Sequence, residues 1–273
     1  MVRPARPAAV AGRFYPSQPD ELSRQVESFC AASETAARRR AVACMVPHAG
    51  YRFSGHVAGA VYARLELPRR FVLIGPRHYP QGAAQAILSE GAWETPLGLA
   101  EIDAALSGEL KRACSGLMED DVAHRTEHAL EVQLPFLQTL AGDFRFVPIA
   151  LGTVDFSALE ALGNALAEVV ARQNEPVLLI ASSDMNHYES DDITRRKDAM
   201  AIERLLVLDA RGLHETVRRE GITMCGYGPA VSTLIAANRL GAQPPAELVR
   251  YATSADISGD RDEVVGYAGI IVP

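Results

Sequence analysis

The sequence has few cysteines, and none of them are paired in a motif. Cys30, Cys44, Cys114 and Cys225 are scattered over 273 residues without a CxxC. Zinc ribbons and disulfide frameworks need clustered or regularly spaced cysteines, so neither is indicated. A large chain with scattered cysteines is expected to be reduced and cytoplasmic.

The sequence also lacks long apolar runs and an excess of positive charge. No segment approaches the roughly 18 consecutive apolar residues of a membrane span. The N-terminus carries arginines and prolines where a secretory signal would have an apolar stretch. With 27 basic and 34 acidic residues the net charge is −7, which argues against a protein that grips nucleic-acid backbones.

What is present is the pattern of an α/β protein. A hydrophobic fraction of 48% and a charged fraction of 22% are typical of a globular chain, and without a linker we expect one domain over residues 1–273. Apolar runs predict strands at Ala41–Val46, Phe71–Ile74, Phe146–Leu151 and Val177–Ala181. Helical spacing is found at Glu21–Arg39, His56–Leu65, Leu130–Leu140, Ala158–Arg172, Thr194–Leu206 and Ala230–Leu240.

This alternation predicts a central, mostly parallel sheet with helices on both faces. Two further strands, Leu248–Thr253 and Val264–Val272, follow each other closely and are expected to pair antiparallel, which makes the sheet mixed.

Histidines follow three of the predicted strands directly. His48 comes after Val46 and Pro47, His78 follows the strand that ends in Ile74, and Asp184 and His187 follow Ile180. Loops at the carboxyl ends of parallel strands converge on one crevice, where α/β proteins bind ligands. We therefore expect these side chains to share a site, although a loop histidine can also simply bond a neighbouring carbonyl.

Cys225 lies in the glycine-rich stretch TMCGYGPAVS, just before a predicted helix. The positive end of a helix dipole favours a thiolate, the form that binds metals or attacks electrophiles. The alternative is a buried apolar cysteine beside a turn. For Cys30, Cys44 and Cys114, which lie in helix or strand patterns, that structural role is the interpretation we favour.

The segment HRTEH, residues 124–128, matches the HxxEH pattern of inverted zinc peptidases. In those enzymes two histidines one helical turn apart hold zinc and the glutamate is the base. Only three positions are fixed, and a peptidase would leave His48, His78 and the SSDMNH loop without a role. A zinc hydrolase is therefore a minor alternative.

Seven short motifs together resemble the Memo family, whose prokaryotic members are called AmmeMemoRadiSam system protein B. They are AGRFYP at Ala11, PHAGYRFSG at Pro47, GPRHY at Gly75, WETPLG at Trp93, EHALEVQLPFL at Glu127, SSDMNHY at Ser182 and CGYGP at Cys225. Each is weak alone, but their number, order and spacing cover the chain from end to end.

The resemblance implies a fold similar to class III extradiol dioxygenases, in which two histidines and a glutamate hold Fe(II). Carried over to this sequence, the metal ligands are His48, His78 and, in place of the glutamate, Cys225. The resemblance implies His187 as the acid or base, and we assign Asp184 to orient it. Tyr51, Arg77, Tyr79, His128 and Tyr188 are the candidate substrate-binding residues.

Two function hypotheses follow. The first is a mononuclear, non-haem oxidoreductase of dioxygenase type that acts on a small substrate, such as an aromatic one. Fe(II) is the favoured metal, and Cu and Zn are alternatives because a thiolate broadens the choice of metal. The second is a non-catalytic metal- or peptide-binding module, since a fold alone does not carry an activity. The family name also implies an AMMECR1-like protein and a radical S-adenosylmethionine protein as partners.

Overall fold

The computed structural model describes residues 5–31 and 37–273. The strands are β1 Ala43–Val46, β2 Arg70–Pro76, β3 Gln85–Ile87, β4 Ala92–Thr95, β5 Gly98–Ile102, β6 Met118–Glu119, β7 Arg145–Leu151, β8 Val177–Ser182, β9 His187–Glu189, β10 Glu247–Thr253 and β11 Val264–Val272. The helices are α1 Pro19–Ala31, α2 Tyr51–Tyr62, α3 Ala104–Ala113, α4 Val122–Arg125, α5 Leu134–Leu140, α6 Phe156–Ala171, α7 Asp191–Leu206, α8 Ala210–Arg219, α9 Tyr227–Arg239 and α10 Ala255–Ser258, with a 3₁₀ turn at Glu131–Gln133.

One mixed sheet runs through these elements in the order β10-β11-β1-β8-β2-β7-β3-β6. Its central strands β1, β8, β2 and β7 are parallel neighbours, whereas β10, β11 and β1 pair antiparallel. The α/β fold with a mostly parallel, mixed centre is therefore confirmed, and so is the antiparallel pair at the end of the chain.

The central strands bury both faces because they are apolar at every position. Along β1, Ala43 and Met45 join a core beneath α3, α6, α8 and α9, while Cys44 and Val46 join a second core beneath α1, α2 and α5. Successive side chains of a strand point to opposite faces, so an unbroken apolar run is what a sheet covered on both sides requires. Each fully buried aliphatic side chain contributes roughly 1.5–3 kcal/mol.

Several predicted boundaries differ from the structure. The prediction that one helix runs from Glu21 to Arg39 is wrong, because residues 37–39 are not helical; residues 32–36 lie outside the described part of the chain. The helix α2 begins at Tyr51 rather than near His56, because the amide of Tyr51 donates to the carbonyl of Phe14 (2.7 Å). Ser54 therefore lies inside the helix, and its hydroxyl donates to the carbonyl of Ala49 (2.9 Å).

The order of the strands determines which loops meet. Because β8 lies between β1 and β2, the loops that begin at Pro47, Ser183 and Arg77 are neighbours at the carboxyl edge of the sheet. Among residues 5–31 and 37–273, none of the helices combines the length and the apolar character that crossing a membrane requires.

Candidate metal centre

Three imidazoles meet in the crevice at the carboxyl ends of β1, β8 and β2. One ring nitrogen from each of His48, His78 and His128 lies within 4.8 Å of the other two. The ring centroids are 4.5 Å apart for His78 and His128, 5.2 Å for His48 and His78, and 5.5 Å for His48 and His128. In the described part of the chain, this is the group of His, Cys, Asp and Glu side chains whose donor atoms converge so closely.

Each of these rings has its Nδ1 atom next to a polar partner. Nδ1 of His48 lies 3.0 Å from Oγ of Ser182, and Nδ1 of His78 lies 2.9 Å from Oε1 of Glu127. Nδ1 of His128 lies 3.4 Å from the same carboxylate oxygen. A partner on one ring nitrogen orients the imidazole and leaves the other nitrogen, Nε2, for a ligand.

Glu127 organises the His78 loop through both of its oxygens. Besides the contact with the His78 ring, Glu127 accepts the backbone N–H of His78 (2.6 Å) and that of Ala129 (2.9 Å). Although burial alone would raise the pKa of Glu127, these bonds and the His78 charge hold it down at about 2. The fully buried carboxylate is therefore ionised, and it lies between two of the three histidines.

The surroundings shift the pKa values of the three histidines in different directions. Burial, reinforced by the other imidazoles, holds the pKa of His48 well below its usual range and lowers that of His128 to about 4. Burial also lowers the pKa of His78, but the hydrogen bond and the negative charge of Glu127 outweigh this effect, so the pKa of His78 is raised. Two of the imidazoles are thus neutral near pH 7, the state in which histidine binds metals.

Cys225 approaches the same crevice from the N-terminus of α9. Its Sγ lies 3.2 Å from Nε2 of His48 and 3.7 Å from the carbonyl oxygen of Asp184. Burial, followed by the charge of Asp184, raises the pKa of this thiol well above its usual range. The helix dipole therefore does not suffice to form a thiolate, and a bound cation would be needed to displace the proton.

Asp184 and His187 flank the crevice but contact other groups. Oδ1 of Asp184 accepts the backbone N–H groups of His48 (2.7 Å) and Ala49 (3.3 Å). Nδ1 of His187 lies 3.0 Å from the carbonyl oxygen of Thr223, and the hydroxyl of Thr223 accepts the His187 N–H (2.7 Å). The backbone of Thr223 thus orients His187, the role that sequence reasoning gave to Asp184, and burial raises the pKa of Asp184.

The five candidate substrate residues are placed differently from one another. Tyr79 and Tyr188 are exposed beside the crevice, with 43% and 75% of their surfaces accessible. Tyr188 has a φ of 62°, a left-handed conformation that is costly for a residue other than glycine and that often accompanies functional sites. His128 belongs to the group of three histidines, where it is a candidate ligand.

Tyr51 and Arg77 serve the scaffold instead. Tyr51 is buried in the core beneath α1 and α2, and its hydroxyl donates to the carbonyl of Val132 (2.7 Å). Nη1 of Arg77 donates to the carbonyl groups of the loop that follows, at residues 81–83. The hydroxyl of Tyr51 and Nη1 of Arg77 are therefore engaged within the protein.

The two histidines of HRTEH face different surroundings. The helix α4 ends at Arg125, so Glu127 and His128 lie beyond it. The ring of His124 is fully buried and packs edge-on against Trp93 at 5.7 Å, while His128 lies with His48 and His78. The helical pair of zinc ligands that a peptidase would need is not formed, which argues against the hydrolase alternative.

Sequence reasoning missed Glu127 as the partner of His78, Ser182 as the partner of His48, and His128 as a candidate ligand. Glu127 and His128 do stand in a motif that was noted, yet nothing in their spacing shows that a buried carboxylate faces the loop after β2. Only the fold brings residues so distant in sequence into contact.

Comparisons with known proteins place nearly the whole chain in one family. A family model described as "Memo-like protein" matches residues 6–271. A MEMO1 family protein of Methanopyrus kandleri is 42% identical, over 97% of this chain and 98% of that protein. One of Methanosarcina barkeri is 41% identical, over 98% and 99%. The crystal structure of an uncharacterized protein from Escherichia coli K12 superposes on this chain with a TM-score of 0.56 at 13% identity, over 83% of this chain and 99% of that one. This similarity concerns the fold alone.

Proposed function

We propose that this chain, which belongs to the Memo family, has in its crevice the mononuclear non-haem metal centre of an oxidoreductase. The observation that carries the proposal is the convergence of His48, His78 and His128, each with its Nδ1 atom next to a protein oxygen. An imidazole whose Nδ1 atom is held by a protein oxygen in this way is typical of a metal ligand.

The donor set fits some metals better than others. Imidazole nitrogen and a thiol suit Fe(II), copper and zinc, whereas Ca²⁺ and Mg²⁺ prefer oxygen ligands. The ionised carboxylate of Glu127 contributes negative charge directly behind two of the imidazoles, which favours a cation between them. We favour Fe(II), with copper or zinc as alternatives.

In this proposal His48 and His78 hold the metal, and Cys225 or His128 supplies the third ligand. When bound, iron or copper would supply one-electron and dioxygen chemistry. His187, oriented by Thr223, has its Nε2 atom left to take or give a proton at the substrate. Asp184 keeps the His48 backbone in place, and the exposed rings of Tyr79 and Tyr188 would contact a small substrate, such as an aromatic one.

One observation favours the second candidate, a non-catalytic metal- or peptide-binding module. Beside the three converging imidazoles of His48, His78 and His128, a fourth protein donor, Sγ of Cys225, lies 3.2 Å from Nε2 of His48. A site that is closed by four protein ligands is typical of structural or carrier metals, whereas a catalytic site keeps an open position.

The experiment is an anaerobic Fe(II) titration, followed by calorimetry and electronic spectroscopy, of wild type, Cys225→Ser and His128→Gln. His56→Gln is the matched control, because His56 lies in α2 outside the group of three histidines. We expect one Fe(II) per chain, with affinity or spectrum changed in Cys225→Ser, His128→Gln or both, and unchanged in the control. Failure to bind stoichiometrically would refute the metal centre.

Oxygen consumption separates the two functions. Wild-type protein loaded with Fe(II) is mixed with catechols or aromatic amines in an oxygen electrode, and nitric oxide is used to probe for an open position. Consumption that is lost in His187→Gln supports the oxidoreductase. Tight metal binding without nitric oxide binding or oxygen consumption supports the module.

A further inference from the structure

We infer that Ser182 is a positioning residue that keeps the proton of His48 on Nδ1 and thereby directs the Nε2 lone pair into the crevice. The inference rests on the proposed metal centre for its purpose, but its evidence is a hydrogen-bond network behind His48. The network consists of Tyr62, Gln133, Ser182 and the carbonyl groups of Pro47 and Ala129, and all three of its side chains are buried.

The orientation of the Gln133 amide follows from its neighbours. Its nitrogen lies 3.0 Å from the carbonyl oxygen of Pro47, which can only accept, so this end of the amide must be the donor. The second N–H of the same nitrogen points at Oγ of Ser182 (3.0 Å). The other end, Oε1, accepts the hydroxyl of Tyr62 (2.9 Å).

The direction of the Ser182 hydroxyl follows in turn. Its Oγ lies 2.6 Å from the carbonyl oxygen of Ala129, and two oxygens lie this close only when a hydrogen bond joins them. Because a carbonyl oxygen can only accept, the Ser182 hydroxyl is the donor. A hydroxyl has one proton and two lone pairs. The proton is used on Ala129, and one lone pair accepts from Gln133, so the remaining lone pair faces Nδ1 of His48 at 3.0 Å.

The protonation of His48 is then determined by elimination. Because the Ser182 oxygen can only accept from it, Nδ1 must carry the hydrogen. A neutral imidazole carries one proton, so Nε2 is the nitrogen with the free lone pair, and it is the atom that lies 3.2 Å from Sγ of Cys225. In His78 the Nδ1 atom likewise faces an acceptor, which is the Glu127 carboxylate at 2.9 Å.

Ser182→Ala tests this role because it removes the acceptor that faces Nδ1 of His48, together with the hydrogen bonds to Ala129 and from Gln133. Its matched control is Ser232→Ala, because Ser232 is equally buried and its hydroxyl also donates to a backbone carbonyl, that of Leu159 (3.0 Å), away from the histidines. The first readout is the pair of ¹⁵N shifts of His48 in metal-free, histidine-labelled protein, with His48→Gln to assign the signals. The second is the affinity for Zn²⁺.

In wild type we expect a protonated Nδ1 and an unprotonated Nε2. In Ser182→Ala we expect a mixture of the two forms and Zn²⁺ binding weaker by about 10–100-fold, the usual effect of losing such a partner. A wild-type His48 with its proton on Nε2 would overturn the inference without any variant. So would a folded Ser182→Ala that keeps both the wild-type shifts and the wild-type affinity.

The two claims can fail separately. If the wild-type shifts show the proton on Nδ1 and Ser182→Ala changes them, but Zn²⁺ does not bind, the metal centre is refuted and the role of Ser182 in setting the protonation of His48 stands. If Zn²⁺ binds but the proton is on Nε2, the reverse holds.

Discussion

Replacing Glu131 by glutamine tests how the N-terminal segment is attached to the metal centre. The fully buried carboxylate of Glu131 accepts Nη1 of Arg6 and the hydroxyl of Tyr15, each at 2.6 Å. It also accepts the backbone N–H groups of Ala9 (2.8 Å) and Val10 (3.0 Å). The glutamine has the same shape but no charge, and its amide nitrogen would face donors.

The magnitude follows from what would remain unpaired. Arg6 is only 9% exposed, and its guanidinium would lose its counter-charge while staying buried. Breaking a buried ion pair by removing one partner costs about 3–5 kcal/mol. At roughly 2–4 °C per kcal/mol for a chain of this size class, the melting temperature should fall on the order of 10 °C.

The effect should also reach the crevice. Arg6 donates to the carbonyl groups of His124 (2.6 Å) and Glu127 (2.7 Å), so it holds the loop from which Glu127 orients His78. We therefore expect Glu131→Gln to weaken metal binding as well as stability.

The assays are thermal unfolding and urea unfolding followed by circular dichroism, with Glu168→Gln as the control. Glu168 pairs with Arg172 at the surface (2.8 Å), and an exposed pair of this kind contributes about 0.5 kcal/mol or less. Equal stabilities for Glu131→Gln and Glu168→Gln would refute this reasoning.

Two further predictions concern Asp198 and Gly226. Burial raises the pKa of Asp198 to about 7, above the unfolded value of about 3.9, so the folded state binds more protons between these limits and wild-type stability should fall as pH rises through them. Between pH 5 and pH 8 the free energy of unfolding of wild type should fall by roughly 3 kcal/mol more than that of Asp198→Asn, measured by urea unfolding. The asparagine can keep a hydrogen bond to Tyr251. Gly226→Ala would place a Cβ in steric conflict with the carbonyl oxygen of Ser182, which forces β8 and α9 apart and moves Cys225. The change should lower the free energy of unfolding by about 1–3 kcal/mol and weaken Zn²⁺ binding in a calorimetric titration.

A different result would contradict each of these two predictions. Parallel pH profiles for wild type and Asp198→Asn would mean that the carboxyl group does not titrate with a raised pKa. For the glycine, Gly108→Ala in α3 is the control, because its added Cβ meets nothing closer than 3.5 Å. If both alanine variants were as stable as wild type, the close approach at Gly226 would not matter.

The sequence was sufficient for the central strands and for two of the histidines. Short apolar runs next to turn residues favour strands covered on both faces, and His48 and His78 follow such strands directly. Strands of two or three residues, such as β3, β6 and β9, are too short to show a period, and they were not predicted.

The contacts that organise the crevice had no local signal. Ser182 and His48 are 134 positions apart, and the Arg6 and Glu131 pair spans 125. Such pairs follow from the strand order, in which β8 lies between β1 and β2, and neither composition nor spacing reveals that order. The AMMECR1-like and radical S-adenosylmethionine partners and the cytoplasmic location stay predictions.

The most direct test of the metal centre is a crystal structure of the protein reconstituted anaerobically with Fe(II), with anomalous data collected on both sides of the iron edge. We predict a single strong peak in the crevice, about 2.0–2.3 Å from Nε2 of His48 and of His78, with His128 or Cys225 as the third ligand. A peak elsewhere on the protein, or no peak in crystals that contain one iron per chain, would contradict the account.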